Sequence, residues 1–145
     1  MTDIEDLYAG LGGFISALDG YAWDPNGVYD GTQISVFTLR TPESPDRCLT
    51  VSVVPMGDDP AVPFGLTMIQ FRARGARNKP LDAQSILYPI FQAIQGTAYI
   101  PAGPFVLQNP YRTVHVPLGT DDLQRTSAAD QYYTDTVYPP TASRP

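Results

Sequence analysis

The sequence is short of the residues that build most catalytic and metal sites. It holds one cysteine, one histidine and one tryptophan in 145 residues. Cys48 alone can form neither an intramolecular disulfide nor a thiolate zinc site, which indicates folding in a reducing compartment. His115 has no cysteine or paired acids at ligand spacing, and the sequence has neither a nucleophile elbow nor a phosphate-binding loop. We therefore expect no metal, no cofactor and no enzymatic activity.

Long apolar runs and a basic leader are missing as well. No stretch approaches the roughly 18 apolar residues that a membrane span requires. The N-terminus, MTDIEDLYAG, carries acids where a signal peptide carries bases. The sequence thus predicts a soluble protein with no membrane partner, which stays in the compartment where it is made. Its net charge of −6 disfavours free nucleic acid and anionic membranes over most of the surface.

Apolar residues and turn residues are what the sequence does have. Apolar residues make up 43% of the chain, and 15 prolines and 12 glycines fall between the apolar runs. This pattern is typical of short strands joined by many turns. We expect a single domain over residues 1–138, followed by a flexible, proline-rich tail over residues 139–145.

Two segments have the periodicity of amphipathic helices. In residues 3–18, apolar side chains recur at intervals of three and four, and the glycines within the segment are expected to let another backbone approach closely. Residues 80–95 form one apolar arc, with Pro89 predicted to kink the helix and Gly96 to cap its C-terminus.

Strand patterns fill most of the remaining chain, and their order predicts an α+β fold. We expect a mixed or antiparallel sheet of about five to six strands packed with the two helices. The second strand is expected to pair back on the first. The segment MGDDPAVPFG is expected to be a loop, and GTDDLQRTSAAD a polar and mobile connection, with their aspartate pairs serving as turn residues. The strand patterns cover residues 33–39, 48–54, 67–75, 97–100, 105–108, 111–118 and 131–138.

A basic cluster and a group of tyrosines are the candidate contact residues. The cluster lies within eight residues and consists of Arg72, Arg74, Arg77 and Lys79. Alternation along the third strand places its two arginines on one face. That face is either a solvated surface that pairs with nearby acids or a contact surface for phosphate or for acidic patches of a neighbouring subunit, and an acidic chain favours subunit contact over DNA. Tyr132 and Tyr133 join this predicted interface, because tyrosine is enriched at contact surfaces.

The order of these parts resembles a known family. A proline-rich loop joins two strands (TPESPDRCLTVSVVPMG), and a strand with alternating arginines runs into an amphipathic helix (IQFRARGARNKPLDA, ending IFQAIQG). A polar turn and a tyrosine-rich strand follow (GTDDLQRTSAADQYYTDTVY). This arrangement resembles the tail terminator or minor capsid proteins of long-tailed, non-contractile phages over roughly residues 4–138. Pro89 and the PPTASRP tail depart from that pattern.

The resemblance implies a structural virion protein. It would form a homo-oligomeric ring, a hexamer, that caps the tail tube and provides the surface for head joining. Its partners would be its own copies, the tail tube protein and a head-completion or neck protein, with DNA passing through the lumen without being read. The location would be the virion neck, after assembly in the host cytoplasm. Arg72 and Arg74 would lie at an inter-subunit or tube-facing surface.

Three alternatives remain at this point. The first is another neck or connector component, such as a head-completion or stopper protein. The second is a small regulatory module that binds an anionic ligand at the basic cluster from Arg72 to Lys79. The third is a hydrolase that uses His115.

Overall fold

The computed structural model describes residues 3–24, 27, 29 and 32–141, and these form an α+β fold with two helices and a seven-stranded mixed sheet. The helices are α1 (Asp3–Ser16) and α2 (Asp82–Ile94). The strands are β1 (Tyr21–Trp23), β2 (Ile34–Thr38), β3 (Cys48–Asp58), β4 (Phe64–Arg74), β5 (Tyr99–Ala102), β6 (Phe105–Thr120) and β7 (Thr126–Val137). In the described chain, neither helix is long and apolar enough to cross a membrane.

The strands lie in the order β1-β2-β3-β4-β7-β6-β5. β1 pairs with β2 and β2 with β3 in parallel, whereas all other neighbours are antiparallel. The predicted strands over residues 33–39 and 48–54 correspond to β2 and β3, and they do pair, but in parallel. The proline-rich loop (residues 39–47) is long enough to return the chain to the starting end of β2, which a tight hairpin does not do.

Both helices pack on one face of the sheet. The core on that face includes Val51 of β3, Phe71 of β4 and Tyr132 of β7, which are at most 1% exposed. α1 lies against β1 and β5, and α2 lies over β4, β7 and β6. One face of the sheet is thus covered by helices, while the opposite face has no helix from the described residues.

The glycines of α1 allow the close approach that the sequence suggested. A Cβ atom on Gly10 would lie 2.4 Å from the Cα atom of Ala102 in β5, and one on Gly12 would lie 2.3 Å from the Trp23 ring. Gly13, by contrast, has nothing within 4 Å of the corresponding position. Gly10 and Gly12 are therefore packing residues, whereas Gly13 faces open space.

Two predicted loops are shorter than the sequence indicated. β3 continues to Asp58 and β4 begins at Phe64, so only residues 59–63 of MGDDPAVPFG connect them. Likewise, β6 extends to Thr120 and β7 begins at Thr126, so the predicted mobile connection is a tight turn of residues 121–125. The ends of β3 and β6 resemble loops in sequence because their side chains are exposed, whereas the start of β7 is buried but consists of small and polar residues without an apolar alternation.

The remaining differences lie at the ends of elements. The separate strands predicted over 105–108 and 111–118 are one strand, β6, with irregular pairing on either side of Asn109 and a φ of 48° at that residue. α2 contains Pro89 as predicted, and Gly96 follows the helix with a φ of +83°. The last four residues of the predicted flexible tail lie outside the described residues.

Candidate functional site

Arg74, at the end of β4, is buried beneath the proline-rich loop. Its guanidinium donates hydrogen bonds to three backbone carbonyls of that loop, those of Asp46 at 2.9 Å, Pro45 at 2.6 Å and Glu43 at 3.3 Å. Only 7% of the residue is exposed. The prediction that it belongs to a contact surface is therefore wrong for the folded subunit. Strand alternation placed it on the uncovered face of the sheet, but the loop folds back over that end.

Arg125 completes this anchor, and the sequence analysis did not identify it. It donates hydrogen bonds to the carbonyl of Glu43 at 2.6 Å, to Asp46 Oδ1 at 3.2 Å and to Asp121 Oδ2 at 2.9 Å. Asp121 also accepts the backbone N–H of Arg125, and this hydrogen bond holds the pKa of the Asp121 carboxyl below its ordinary value. Arg125 and Arg74 together fix the proline-rich loop by charge-assisted hydrogen bonds, which are shorter and stronger than neutral ones.

Two further residues of the basic cluster, Arg77 and Lys79, lie at the periphery of this anchor. Arg77 is exposed and forms an ion pair with Asp46 Oδ2 at 3.0 Å. Lys79 is exposed in the turn before α2. Exposed ion pairs of this kind contribute little to stability. Arg77 and Lys79 therefore form an accessible basic strip beside the anchor, and Arg77 already has an acidic partner.

A second ion pair fixes the start of α2. Asp82 accepts hydrogen bonds from Arg47 Nε at 2.8 Å and from the backbone N–H of Ala76 at 2.8 Å. Burial alone raises the pKa of the Asp82 carboxyl, but these hydrogen bonds and the charge of Arg47 outweigh it. The pKa of Asp82 therefore lies below its ordinary value.

The face of the sheet opposite the helices carries a wide apolar surface, which we call the open face. Directly opposed residues of antiparallel strands share a face, so register assigns its members. Arg72 lies on the same face near the end of β4, is exposed, and makes no hydrogen bond or ion pair with any described residue. The exposed apolar side chains of the open face are Val54, Phe64, Leu66, Tyr111, Val114 and Val116.

The two tyrosines of the predicted interface lie on opposite faces. Tyr132 is 1% exposed on the helix side, with its ring edge-on to Phe71 at a centroid distance of 5.5 Å, and burial raises the pKa of its hydroxyl. Its expected role as a contact residue is therefore wrong for the folded subunit. Tyr133 is half-buried on the open face and contacts the Tyr111 ring at 6.2 Å. Tyr133 and Arg72 thus remain accessible for contact, and Tyr132 does not.

The open face ends at an unpaired strand edge. β5 pairs only with residues 105–108 of β6, so the outer edge of β6 from Tyr111 to Thr120 has no partner strand among the described residues. All ten of these residues are exposed. A long edge with exposed apolar side chains is a template for pairing with another chain, and proteins normally shorten, charge or cover such edges. Here the edge is exposed over ten residues, and Pro117 and two irregularities of pairing interrupt its row of backbone groups without covering it.

His115 belongs to a polar group on the helix side of the sheet. Its Nδ1 atom is hydrogen-bonded to Asp130 Oδ1, and its Nε2 atom lies 3.4 Å from Gln84 Oε1 of α2. Arg112 Nη1 lies 3.5 Å from Asp130 Oδ2, and its guanidinium stacks 3.8 Å from the centre of the Phe91 ring. The described residues contain no group of three or more His, Cys, Asp or Glu that could hold a metal ion.

Neither a protein-family model nor a curated protein matches this chain.

Proposed function

We propose that this chain is a structural virion subunit, the tail terminator of a non-contractile phage tail. Copies of it would form a ring, a hexamer, that caps the tail tube and presents a surface to the head-completion or neck protein. The observation that carries this proposal is the open face and its continuation into the unpaired edge of β6. This surface combines apolar side chains with a row of unpaired backbone groups, as sheet-mediated association requires.

The partner best matched to this surface is a second copy of the chain. A ring needs a heterologous contact, in which one surface of a subunit meets a different surface of the next. The edge of β6 and the open face have different orientations on the sheet, so one subunit can offer both to two neighbours. Arg72, an exposed base of the open face with no hydrogen bond or ion pair to any described residue, would then meet an acidic group of the adjoining molecule.

The acidic character of the chain agrees with a ring around passing DNA. The net charge is −6, and the two arginines that are buried, Arg74 and Arg125, are consumed by contacts within the subunit. A lumen with few free bases repels phosphate, so DNA can slide through it without being bound. The place of action would be the virion neck, after assembly in the host cytoplasm.

The anion-binding alternative has less support from the geometry than the ring. Within the basic cluster from Arg72 to Lys79, Arg74 binds the proline-rich loop and Arg77 forms an ion pair with Asp46, so neither is free to bind an anion. Another neck component, such as a stopper, shares the structural observation with the terminator, because both are ring subunits. A terminator and a connector can be distinguished by the assembly defect of a phage that lacks the subunit.

The experiment is negative-stain electron microscopy of lysates from a phage that lacks this gene. We expect abnormally long tail tubes without heads, because an uncapped tube continues to polymerise. Tails of normal length beside unjoined heads would contradict the terminator and assign a connector. Normal infectious particles would exclude both virion roles.

Complementation with surface variants then tests the surface itself. Val116→Lys places a charge on the open face beside the unpaired edge. We expect this variant to fold as a monomer but to fail in complementation, so that the abnormally long tubes persist. Ile4→Lys is the matched control, because Ile4 is an equally apolar residue, 58% exposed on α1 in the helix layer. Equal tail defects in both variants, or in neither, would show that the open face is not the assembly surface.

A further inference from the structure

A cleft on the helix side of the sheet lies apart from the open face. It has a volume of about 570 Å³ and is formed between α2 and strands β6 and β7. This volume is in the range of small-molecule sites, which lie between about 300 and 1,000 Å³. Its lining comprises Leu81, Gln84, Ser85, Leu87, Tyr88, Arg112, His115 and Asp130.

The cleft combines an apolar wall with one buried carboxylate. The Asp130 side chain is 1% exposed, and its Oδ1 atom is occupied by His115. Its Oδ2 atom accepts no hydrogen bond from the described residues, and Arg112 Nη1 forms an ion pair with it at 3.5 Å. A buried carboxylate oxygen without a donor costs about 1–3 kcal/mol or more, so this atom favours any molecule that brings a hydrogen-bond donor to it.

The charges around Asp130 select the kind of donor. Arg112 neutralises the carboxylate and is itself held against the Phe91 ring, so its guanidinium cannot leave without losing that contact. A cationic ligand would lie beside the Arg112 charge, and an anionic ligand would lie beside Asp130. A neutral group that both donates and accepts avoids both repulsions, since Asp130 can take its N–H and Arg112 can donate to its carbonyl.

We propose that this cleft binds a small neutral ligand with a primary carboxamide head group and an apolar body. The amide nitrogen donates to Asp130 Oδ2, and the amide oxygen accepts from Arg112. The apolar body packs against Leu87 and Tyr88. This site lies on the opposite side of the sheet from the open face, and although Arg112 and His115 belong to the edge strand β6, binding by the single subunit does not require the ring.

Binding can be followed through His115, because it is the only histidine in the chain. Its imidazole gives a single set of side-chain resonances, and it is hydrogen-bonded to the proposed binding group. The probes are benzamide, benzoate and acetophenone, which have nearly the same shape. Benzoate replaces the neutral amide with an anion, and acetophenone lacks the N–H donor. We expect a saturable shift of the His115 resonances with benzamide and binding at least about tenfold weaker with the other two, since one lost hydrogen bond to a charged group is enough for that factor.

Two variants locate the binding site without touching its polar groups. Ser85 is an exposed cleft residue whose hydroxyl bonds only to the Leu81 carbonyl of its own helix, so Ser85→Trp fills the cleft and keeps the fold. Gln92→Trp is the matched control, because Gln92 is exposed on the same helix outside the cleft lining. Circular dichroism would verify that both variants remain folded.

The proposal requires that the benzamide shift disappears in Ser85→Trp and persists in Gln92→Trp. It is overturned if benzamide causes no saturable shift up to its solubility limit. It is equally overturned if the three probes bind alike, or if the shift survives in Ser85→Trp. A failure here leaves the tail-length experiment unaffected, so the two proposals fail separately.

Discussion

Arg74 and Arg72 lie two residues apart on one face of β4, yet they should respond in opposite ways to the same substitution. Arg74→Met removes the donor for the carbonyls of Asp46 and Pro45, while the Glu43 carbonyl keeps Arg125 as a donor. Two part-buried carbonyls that lose a charge-assisted hydrogen bond cost about 1.5 kcal/mol each, so we expect a loss of about 3 kcal/mol. Arg72→Met removes no hydrogen bond in the described chain and should change stability by less than about 0.5 kcal/mol.

Urea unfolding followed by the fluorescence of the single tryptophan, Trp23, measures both variants. We expect a lower urea midpoint with an unchanged slope for Arg74→Met, since the lost contacts hardly alter the area exposed on unfolding. For a chain of this size, about 3 kcal/mol corresponds to a fall of roughly 12 °C in the melting temperature. In phage complementation the order should reverse, because Arg72→Met leaves the fold intact and alters only the open face.

Equal destabilisation by the two substitutions would refute this reasoning. It would show that the proline-rich loop contributes nothing through Arg74, or that Arg72 has a structural role that its exposure conceals. Loss of stability confined to Arg72→Met would overturn the assignment of the two arginines altogether. Arg74→Lys adds a further check, because it keeps the charge but cannot reach several carbonyls with a planar fork, and it should recover only part of the loss.

Three further predictions concern stability. Asp82→Asn should destabilise at neutral pH, but the urea-midpoint difference from wild type should shrink as pH falls through the lowered pKa of Asp82, below about 3.8, where that carboxyl protonates in the folded state. Burial raises the pKa of Tyr21 to about 12, so its contribution is complete below about pH 10 and is lost as pH rises towards 12. Urea midpoints between pH 9 and 12 should therefore fall more steeply for wild type than for Tyr21→Phe. Gly12→Ala should lower the melting temperature and perturb the fluorescence of Trp23. Gly13→Ala should instead increase the free energy of unfolding by up to about 1 kcal/mol, because alanine has the higher helix propensity, and so raise the melting temperature. The opposite order would contradict the packing of α1.

Local pattern was sufficient for much of the fold. Both helices were predicted within two residues at most of their observed ends, because their apolar faces pack on the sheet and the period of the helix therefore appears in the sequence. The ends of β3 and β6 were missed because those segments extend beyond the core, where alternation carries no burial signal. The parallel pairing of β2 and β3 depends on where the loop between them returns, and strand periodicity is the same for both directions.

The candidate sites depended on contacts between residues far apart in sequence. Arg74 and Arg72 are equivalent by alternation, and only the loop over one of them separates their roles. Arg125 had no local signal beyond an aspartate four residues earlier. Likewise, Asp130 appeared as one polar residue in a β pattern, although it is the carboxylate that both Arg112 and His115 contact. Sequence alone offered His115 as a lone residue, and the fold supplies the partner.

These observations are connected by the difference between the two faces of the sheet, one covered by helices and the other exposed. Arg74 and Arg125 hold the subunit's own loop, so the open face keeps the exposed charges of Arg72 and Asp135. A face with one uncompensated base, several exposed apolar side chains and an unpaired edge is costly for an isolated monomer, because such surfaces promote association. Burial of this surface in an assembly would remove that cost. An assembly subunit therefore explains the sequence better than a soluble binding module, in which the same face would be expected to carry charged or polar side chains.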